Sequence, residues 1–488
     1  MSNLQNNKLF RYLSAFSGNE IILFLGSFIS FPIFTRIFTK SDYGIMAIIT
    51  ITIAIFSHIS GLGLKEAILR FYSSYAGEKR RIFLSTIFNF SILSSVACMF
   101  LLVGVLFSLR LFFAELTFQL VLLVSFSSLL LIFRSIIANI TAVYRIEEKV
   151  RNVILIEIFS RYAGLMASVS LVFVFRNLYG YFAGIVLAEG ILAIFLTWNL
   201  RNKISFRCID FSILPKAIKY GFPLSVSNLS SFFLTSGDRY VVGYFLGASA
   251  VATYTVAYNL CNYIFELIKN VFFKTFMPLV INHWNSGEIA ESQELLALHF
   301  RLYLMVSIPV IFGISSVGTD ALSLLAGSKY TDAYFLIPVL ASAIAVNGLS
   351  HVTFSGLYFK SRSKVILMIT VICAILNLLL NIALLPILGI IGAAWATGIS
   401  YVAMVGAGYL FTRSNLEIKY RIINIIKYLF ASAIMTIIIW QIHISGNVGL
   451  LIKIVTGGFS YLILLTIVDF RFLKKGISSF KRNARTPA

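Results

Sequence analysis

Charge is scarce in this sequence. Only 12% of its 488 residues are Asp, Glu, Lys or Arg, against about 25% in an ordinary soluble domain. A large buried core does not account for that deficit, whereas an apolar solvent does. Acidic residues are the rarer kind, 19 against 40 lysines and arginines, which leaves a net charge of +21. In a soluble chain such an excess points to nucleic acid. Here the basic residues collect in alternate loops, so topology explains the charge and no nucleic-acid partner is expected.

Cysteine and histidine are equally sparse. Cys98, Cys208, Cys261 and Cys373 lie far apart without CxxC spacing, so neither a zinc site nor a disulfide framework is implied. His58, His283, His299, His351 and His443 are scattered. No glycine-rich phosphate loop follows a strand, so ATP hydrolysis by this chain is excluded, and neither a metal nor a cofactor is expected. No short cleavable leader is read at the start. MSNLQNNKLFRYL is polar, then basic, and runs directly into a long apolar segment, as a cytosolic end followed by a first spanning helix does.

What the sequence has in quantity is apolar length. Hydrophobic residues make up 59% of it, and runs of about 20 recur from end to end, each enough to cross about 30 Å of hydrocarbon. They predict an all-α polytopic membrane protein with helices near 12–38, 43–64, 82–108, 116–141, 153–175, 178–199, 217–244, 249–276, 295–317, 331–358, 364–385, 388–412, 424–443 and 448–469. The pattern lacks the alternation of a barrel. One set of loops carries most of the basic residues, among them Lys79, Arg80, Arg81, Arg145, Lys149 and Arg151. The opposite set holds only Arg36, Lys40, Arg110, Arg176 and Lys329. This imbalance predicts cytoplasmic termini and an even helix count.

The polar linker RNKISFRCIDFSILPK, 201–216, divides the first twelve helices into six and six. The expected organisation is a lobe at 1–200, a cytoplasmic linker at 201–216, a second lobe at 217–412, two additional helices at 413–470 and a basic cytoplasmic tail at 471–488. The halves echo each other. TRIFTKSDYGIMA after the first helix is similar to DRYVVGYFLGASAVATY after the seventh, with Arg36 and Arg239 in equivalent places. Internal repeats of this kind build two lobes around a central site in many transporters.

Four segments carry a resemblance to a known family. They are FPIFTRIFTKSDYGIMAI with GLGLKEAILRFY, SGDRYVVGYFLGASAVATYTVAY, GSKYTDAYFLIPVLA, and NLLLNIALLPILGIIGAAWATGISY. In that order they resemble the polysaccharide-transporter branch (the Wzx type) of the multidrug/oligosaccharidyl-lipid/polysaccharide flippase superfamily. The resemblance covers roughly residues 10–412. It implies a V-shaped, MATE-like pair of six-helix lobes with alternating access to a central hydrophilic cavity, plus the extra C-terminal pair beside the second lobe. It also implies a substrate, undecaprenyl-diphosphate-linked oligosaccharide repeats of the O-antigen or capsule type, moved from the cytoplasmic to the periplasmic leaflet of a bacterial inner membrane. The partners implied are that lipid-linked oligosaccharide, membrane lipids, a coupling proton or sodium ion, and a polysaccharide polymerase with its chain-length regulator. The arginine-rich pattern that lipid II flippases carry around the first helix is missing.

Ionisable residues inside spanning helices are costly and face protein or water. Arg134 lies in the fourth helix without a neutralising residue a turn away; it is a phosphate contact or a snorkelling side chain. Glu157 and Arg161 are four apart and share a face, either as an intrahelical ion pair or as a cavity wall. Glu189, near the middle of the sixth helix with no basic residue within a turn, is a candidate for ion coupling or a carboxyl bonded to a neighbouring helix. Glu20 and Glu157 are the other coupling candidates. Asp238 and Arg239, being adjacent, are expected to point to different sides of their helix, with Arg36 and Arg239 at an outer gate or reaching head groups. Arg134, Arg161, Arg36 and Arg239 are thus the expected cationic contacts for a diphosphate.

Two other classes compete. A MATE-like multidrug or cation antiporter needs carboxylates and aromatics in its cavity. A polysaccharide polymerase or glycosyltransferase needs a reaction site on a sizeable loop, and the loops opposite the basic set are mostly a few residues long.

Overall fold

A computed structural model describes residues 3–112, 117–205, 209–413, 422–444 and 446–470, with the side chains of 3–17, 20 and 422 outside the described set. Every regular element among the described residues is a helix. In chain order they are α1 (Asn3–Ile37), α2 (Lys40–Gly61), α3 (Leu64–Phe71), α4 (Gly77–Phe112), α5 (Phe118–Ser127), α6 (Leu129–Ile146), α7 (Val150–Phe175), α8 (Leu178–Asn199), α9 (Leu214–Ser236) and α10 (Asp238–Asn285). There follow α11 (Ile289–Ser316), α12 (Gly318–Leu325), α13 (Ile337–Gly348), α14 (Ser350–Thr353), α15 (Ser355–Phe359), α16 (Ser363–Leu388), α17 (Ile390–Arg413), α18 (Ile422–Trp440) and α19 (Gly446–Val468).

Each of the fourteen expected segments is helical, and 11 stretches are long and apolar enough to cross a membrane. The segments that fall short have physical reasons. The first has a polar N-terminal part, so its apolar length is Ile21–Ile37. The seventh is interrupted by lysine, serine and asparagine, and the eighth is fused to it through α10, which breaks at Gly247 with φ 78°. Only glycine adopts such a conformation without strain. The fourth segment divides at Ser128 into α5 and α6. Two short helices, α3 and α12, were not expected. The acidic stretch 285–300 is mostly the first turns of α11.

Local signals set several of these ends. Thr39 caps α2, its Oγ1 accepting the backbone N–H of Asp42 at 3.1 Å, and Asp42 in the first turn suits the helix dipole. Asn177 caps α8 through the N–H of Gly180 at 3.1 Å. In-helix hydroxyls such as Thr35, Thr50 and Thr86 donate to the carbonyl four residues back at 2.8 Å, so they need no water in lipid. Large apolar side chains, Phe100, Leu111, Phe173 and Phe195 among them, point outward. In a bilayer that surface is solvated by acyl chains.

The chain divides into two compact units, Met1–Ala252 with Lys364–Ala383, and Thr253–Ser363 with Leu384–Ala488. The first unit has a core of Leu64, Ile68, Phe83, Ile87, Val143 and Leu196, joining α3, α4, α6 and α8. In the second unit α18 and α19 pack on α11 through Ile308, Tyr428, Met435, Ile439, Tyr461 and Leu465. The expected basic tail at 471–488 lies outside the described residues.

Candidate functional site

The embedded charges of the first unit converge on α1, α6, α7 and α8. Arg134 of α6 donates through Nε to Glu189 Oε2 at 3.1 Å and Oε1 at 3.3 Å, and through Nη2 to Oε1 at 3.3 Å. Glu189 of α8 is therefore not the unpaired carboxylate its sequence neighbourhood suggests. Its cation comes from another helix, 55 residues away in the chain. The two partners differ in access: the Arg134 side chain is 32% exposed and the Glu189 side chain 9%.

Glu157 and Arg161 share a face of α7 but do not pair with each other. Glu157 accepts from Arg145 Nη2 at 2.9 Å and from Asn19 Nδ2 at 2.6 Å. Arg161 instead donates through Nη2 to Ser27 Oγ of α1 at 2.7 Å. Gly26 makes room for this crossing, since a Cβ there would stand 3.0 Å from Arg161 Cγ and 3.2 Å from the Tyr162 ring. Tyr162 fastens the same helices by donating to Ile22 O at 2.6 Å. Among the described residues, three arginines share two carboxylates here, and Arg161 has a hydroxyl but no acid. The Glu20 side chain lies outside the described residues.

The remaining sequence candidates sit elsewhere. Arg36 is exposed on the last turn of α1. Arg239 is buried with Asp238, donating to its Oδ1 at 2.9 Å and to Thr235 O at 2.7 Å. Adjacency thus did not send these two side chains apart, because they stand at the first turn of α10, just beyond the junction at Gly237, where Arg239 folds back on α9. The repeat-related arginines therefore differ in environment. Sequence reasoning passed over Asn19 and Ser27 and read Arg145 only as a loop cation; their roles emerge once α1, α6 and α7 are brought together.

On the loops, Glu147 joins three segments by accepting from Tyr72 OH at 2.6 Å, Lys149 Nζ at 2.7 Å and Lys203 Nζ. Partial burial pushes this carboxyl up, but the hydrogen bonds from Lys149, Lys203 and Tyr72 outweigh it and bring it down to about 2. Tyr72 is pushed up to about 12, first by burial and then by Glu147. The second unit has its own fasteners. Asp469 accepts from Arg301 Nη2 at 2.5 Å and Tyr428 OH at 3.1 Å, with Lys427 Nζ 3.6 Å away. Lys453 of α19 donates to Asp320 of α12 at 2.7 Å. Among the described residues no group of three or more His, Cys, Asp or Glu could hold a metal ion.

Comparison with known proteins gives a consistent picture. Residues 33–335 match the family described as polysaccharide biosynthesis protein. A probable low-salt glycan biosynthesis flippase of Haloferax volcanii, Agl15, is 23% identical over 295 residues, 60% of this chain and 62% of the relative. The probable flippase AglR of the same organism is 26% identical over 187 residues, 37% of this chain and 38% of the relative. The matches thus span less than two thirds of these relatives. Among solved structures, the lipid II flippase MurJ in an inward closed conformation is similar with a TM-score of 0.75 and 19% identity, covering 94% of this chain and 99% of that one. An inward-facing MATE-family multidrug transporter follows at 0.61 and 15%, covering 82% and 94%. At these identities the structures speak for the fold.

Proposed function

The chain belongs to the polysaccharide biosynthesis protein family, within the multidrug/oligosaccharidyl-lipid/polysaccharide flippase superfamily, and on that premise we propose that it is a transporter that flips a lipid-linked oligosaccharide across the membrane. The finer reading is a repeat unit on undecaprenyl diphosphate, of O-antigen or capsule type, carried from the cytoplasmic to the periplasmic leaflet of a bacterial inner membrane. Both termini are cytoplasmic in this reading, and two six-helix lobes, 1–200 and 217–412, alternate access to a cavity. The likeness to Agl15, a probable glycan biosynthesis flippase, supports the substrate class, and the likeness to AglR, a probable flippase, supports the transport step.

One observation carries the reading at the site: among the described residues Arg134, Arg145 and Arg161 stand against only two carboxylates, Glu157 and Glu189, which leaves one cation, Arg161, in excess. Arg161 is exposed and held by a hydroxyl. Arg134 gives Glu189 its Nε and Nη2 side, which leaves the Nη1 edge of the fork for phosphate oxygens. Arg36 and Arg239 serve at the outer end of the path. A cation antiporter needs free carboxylates, and here Glu157 and Glu189 are both taken by arginines.

Coupling follows from the same pair. A phosphate that draws Arg134 away leaves the Glu189 carboxylate without its cation, and a proton or sodium ion then compensates it. Glu157, tied to Arg145 and Asn19, is less free to switch. An ion gradient or the membrane potential supplies the energy. The test is flipping of a fluorescent polyprenyl-diphosphate oligosaccharide in proteoliposomes. Arg134→Ala and Arg161→Ala should each reduce the rate roughly tenfold or more. Wild-type rates in both would refute the reading.

A further inference from the structure

Helices α2 and α3 run along α9 and the first turns of α10. Near the middle of α2, Thr52 Oγ1 and Tyr240 OH are 2.7 Å apart. Further along, Ser225 Oγ donates to His58 O at 2.9 Å. These are single hydroxyl contacts between helices that otherwise satisfy their own backbones.

At its two ends the seam brings backbone against backbone. A Cβ on Gly63 would lie 1.9 Å from the carbonyl oxygen of Gly221, and a Cβ on Gly221 would lie 2.0 Å from that of Gly63. Each glycine therefore aims a Cα–H at the other's carbonyl, a reciprocal pair of weak hydrogen bonds. At the opposite end, a Cβ on Gly44 would lie 1.9 Å from the carbonyl oxygen of Ala248. Real Cβ contacts are never so short, and no flexible side chain is present at these points to give way. At 1.5 Å per helical residue, Gly44 and Gly63 stand about 28 Å apart, close to the thickness of a hydrocarbon core. One backbone contact thus falls near each membrane face. Among the described residues neither contact contains an ion pair, and the side chains beside the first, Leu64 and Ile68 with Leu214 and Ala217, and Phe71 against Tyr220, meet through apolar surface.

We propose that Gly63–Gly221 and Gly44–Ala248 are the two closures of an alternating-access path, one at each face, and that both are shut in this structure. This rests on the transport reading above but not on its substrate. Gly221 and Gly44 are the residues to change, because both lie within helices where alanine is locally favoured. Gly63 has φ 72° and would be strained by any Cβ.

The experiment uses the full chain with its four native cysteines replaced by serine and a reporter Thr52→Cys between the closures. Membrane-impermeant maleimide is applied to either side of sealed vesicles without substrate. Gly221→Ala should raise labelling from the face bearing residues 63 and 221 roughly tenfold, and Gly44→Ala should do so from the opposite face. Gly104→Ala, which meets nothing within 4 Å, should leave labelling unchanged. Labelling that rises from the same face in both variants, or in neither, overturns the proposal. A second measurement avoids reliance on those variants. A disulfide between His58→Cys and Ser225→Cys should stop transport and release it on reduction. Transport at the uncrosslinked rate in the oxidised protein also overturns the proposal. Since labelling needs no substrate, a wrong substrate assignment would leave its outcome unchanged.

Discussion

Arg134 of α6 and Glu189 of α8, 55 residues apart, meet side-on with Nε 3.1 Å from Oε2. The carboxylate is the hidden member and the guanidinium the accessible one. Removing either therefore has unequal consequences.

Arg134→Ala leaves a buried carboxylate without its cation, whereas Glu189→Ala leaves an arginine that can still reach water. The first should cost about 2 kcal/mol of stability and the second less. The double variant should recover part of the loss, giving a coupling of about 1–2 kcal/mol. Thermal melting of the four proteins in detergent gives the cycle. Additive losses would mean that the pair does not interact.

Arg161→Lys keeps the charge but gives up the planar fork. Flipping should fall several-fold short of wild type while expression is unchanged. Ser27→Ala removes the hydroxyl that holds the guanidinium and should raise KM more than it lowers kcat. An equal fall in kcat for Ser27→Ala would instead mark a general loss of helix packing.

Glu147 makes a pH prediction. Its folded carboxyl is held at about 2, below the ordinary value of 4.5. Its contribution is thus fully present above pH 4.5 and is lost as pH falls toward 2. Glu147→Gln should melt below wild type at pH 7, and the gap should be the same at pH 6 and narrow steadily below pH 4.5. A gap that widens in acid would contradict the assignment.

Asp469→Ala leaves Arg301 and Lys427 facing each other without their shared acid. It should cost about 3 kcal/mol and raise amide exchange in α18 and α19 while leaving α6–α8 protected. Uniform loss of protection across the chain would count against a local role.

The sequence carried the helices better than their partners. Apolar length located most of the segments, because the bilayer sets that length and little else, and is weakest in the first, seventh and eighth. The break at Gly247 falls in the gap expected between 244 and 249, whereas the one at Ser128 was not legible, since a kinked helix and a straight one have the same composition. The charged candidates were legible as costly residues. Their pairing was not, because periodicity reports only neighbours on one helix. Arg134 meets Glu189, Glu157 meets Arg145 and Asn19, and Arg161 meets Ser27, all across helix boundaries or a loop. Ser27 in particular looks like any other helical serine until Gly26 is seen to admit the Arg161 stem beside it.

The last helix, α19, is pinned near both ends, by Lys453 to Asp320 and through Asp469, just past its final turn, to Arg301. The two anchors stand about 24 Å apart at 1.5 Å per residue, so α19 behaves as a splint. It cannot pivot about one anchor without pulling on the other. Any tilt of α11 or α12 must therefore drag α19 along, and a probe attached to α19 will register the motion of the second unit's interior from its lipid-facing surface.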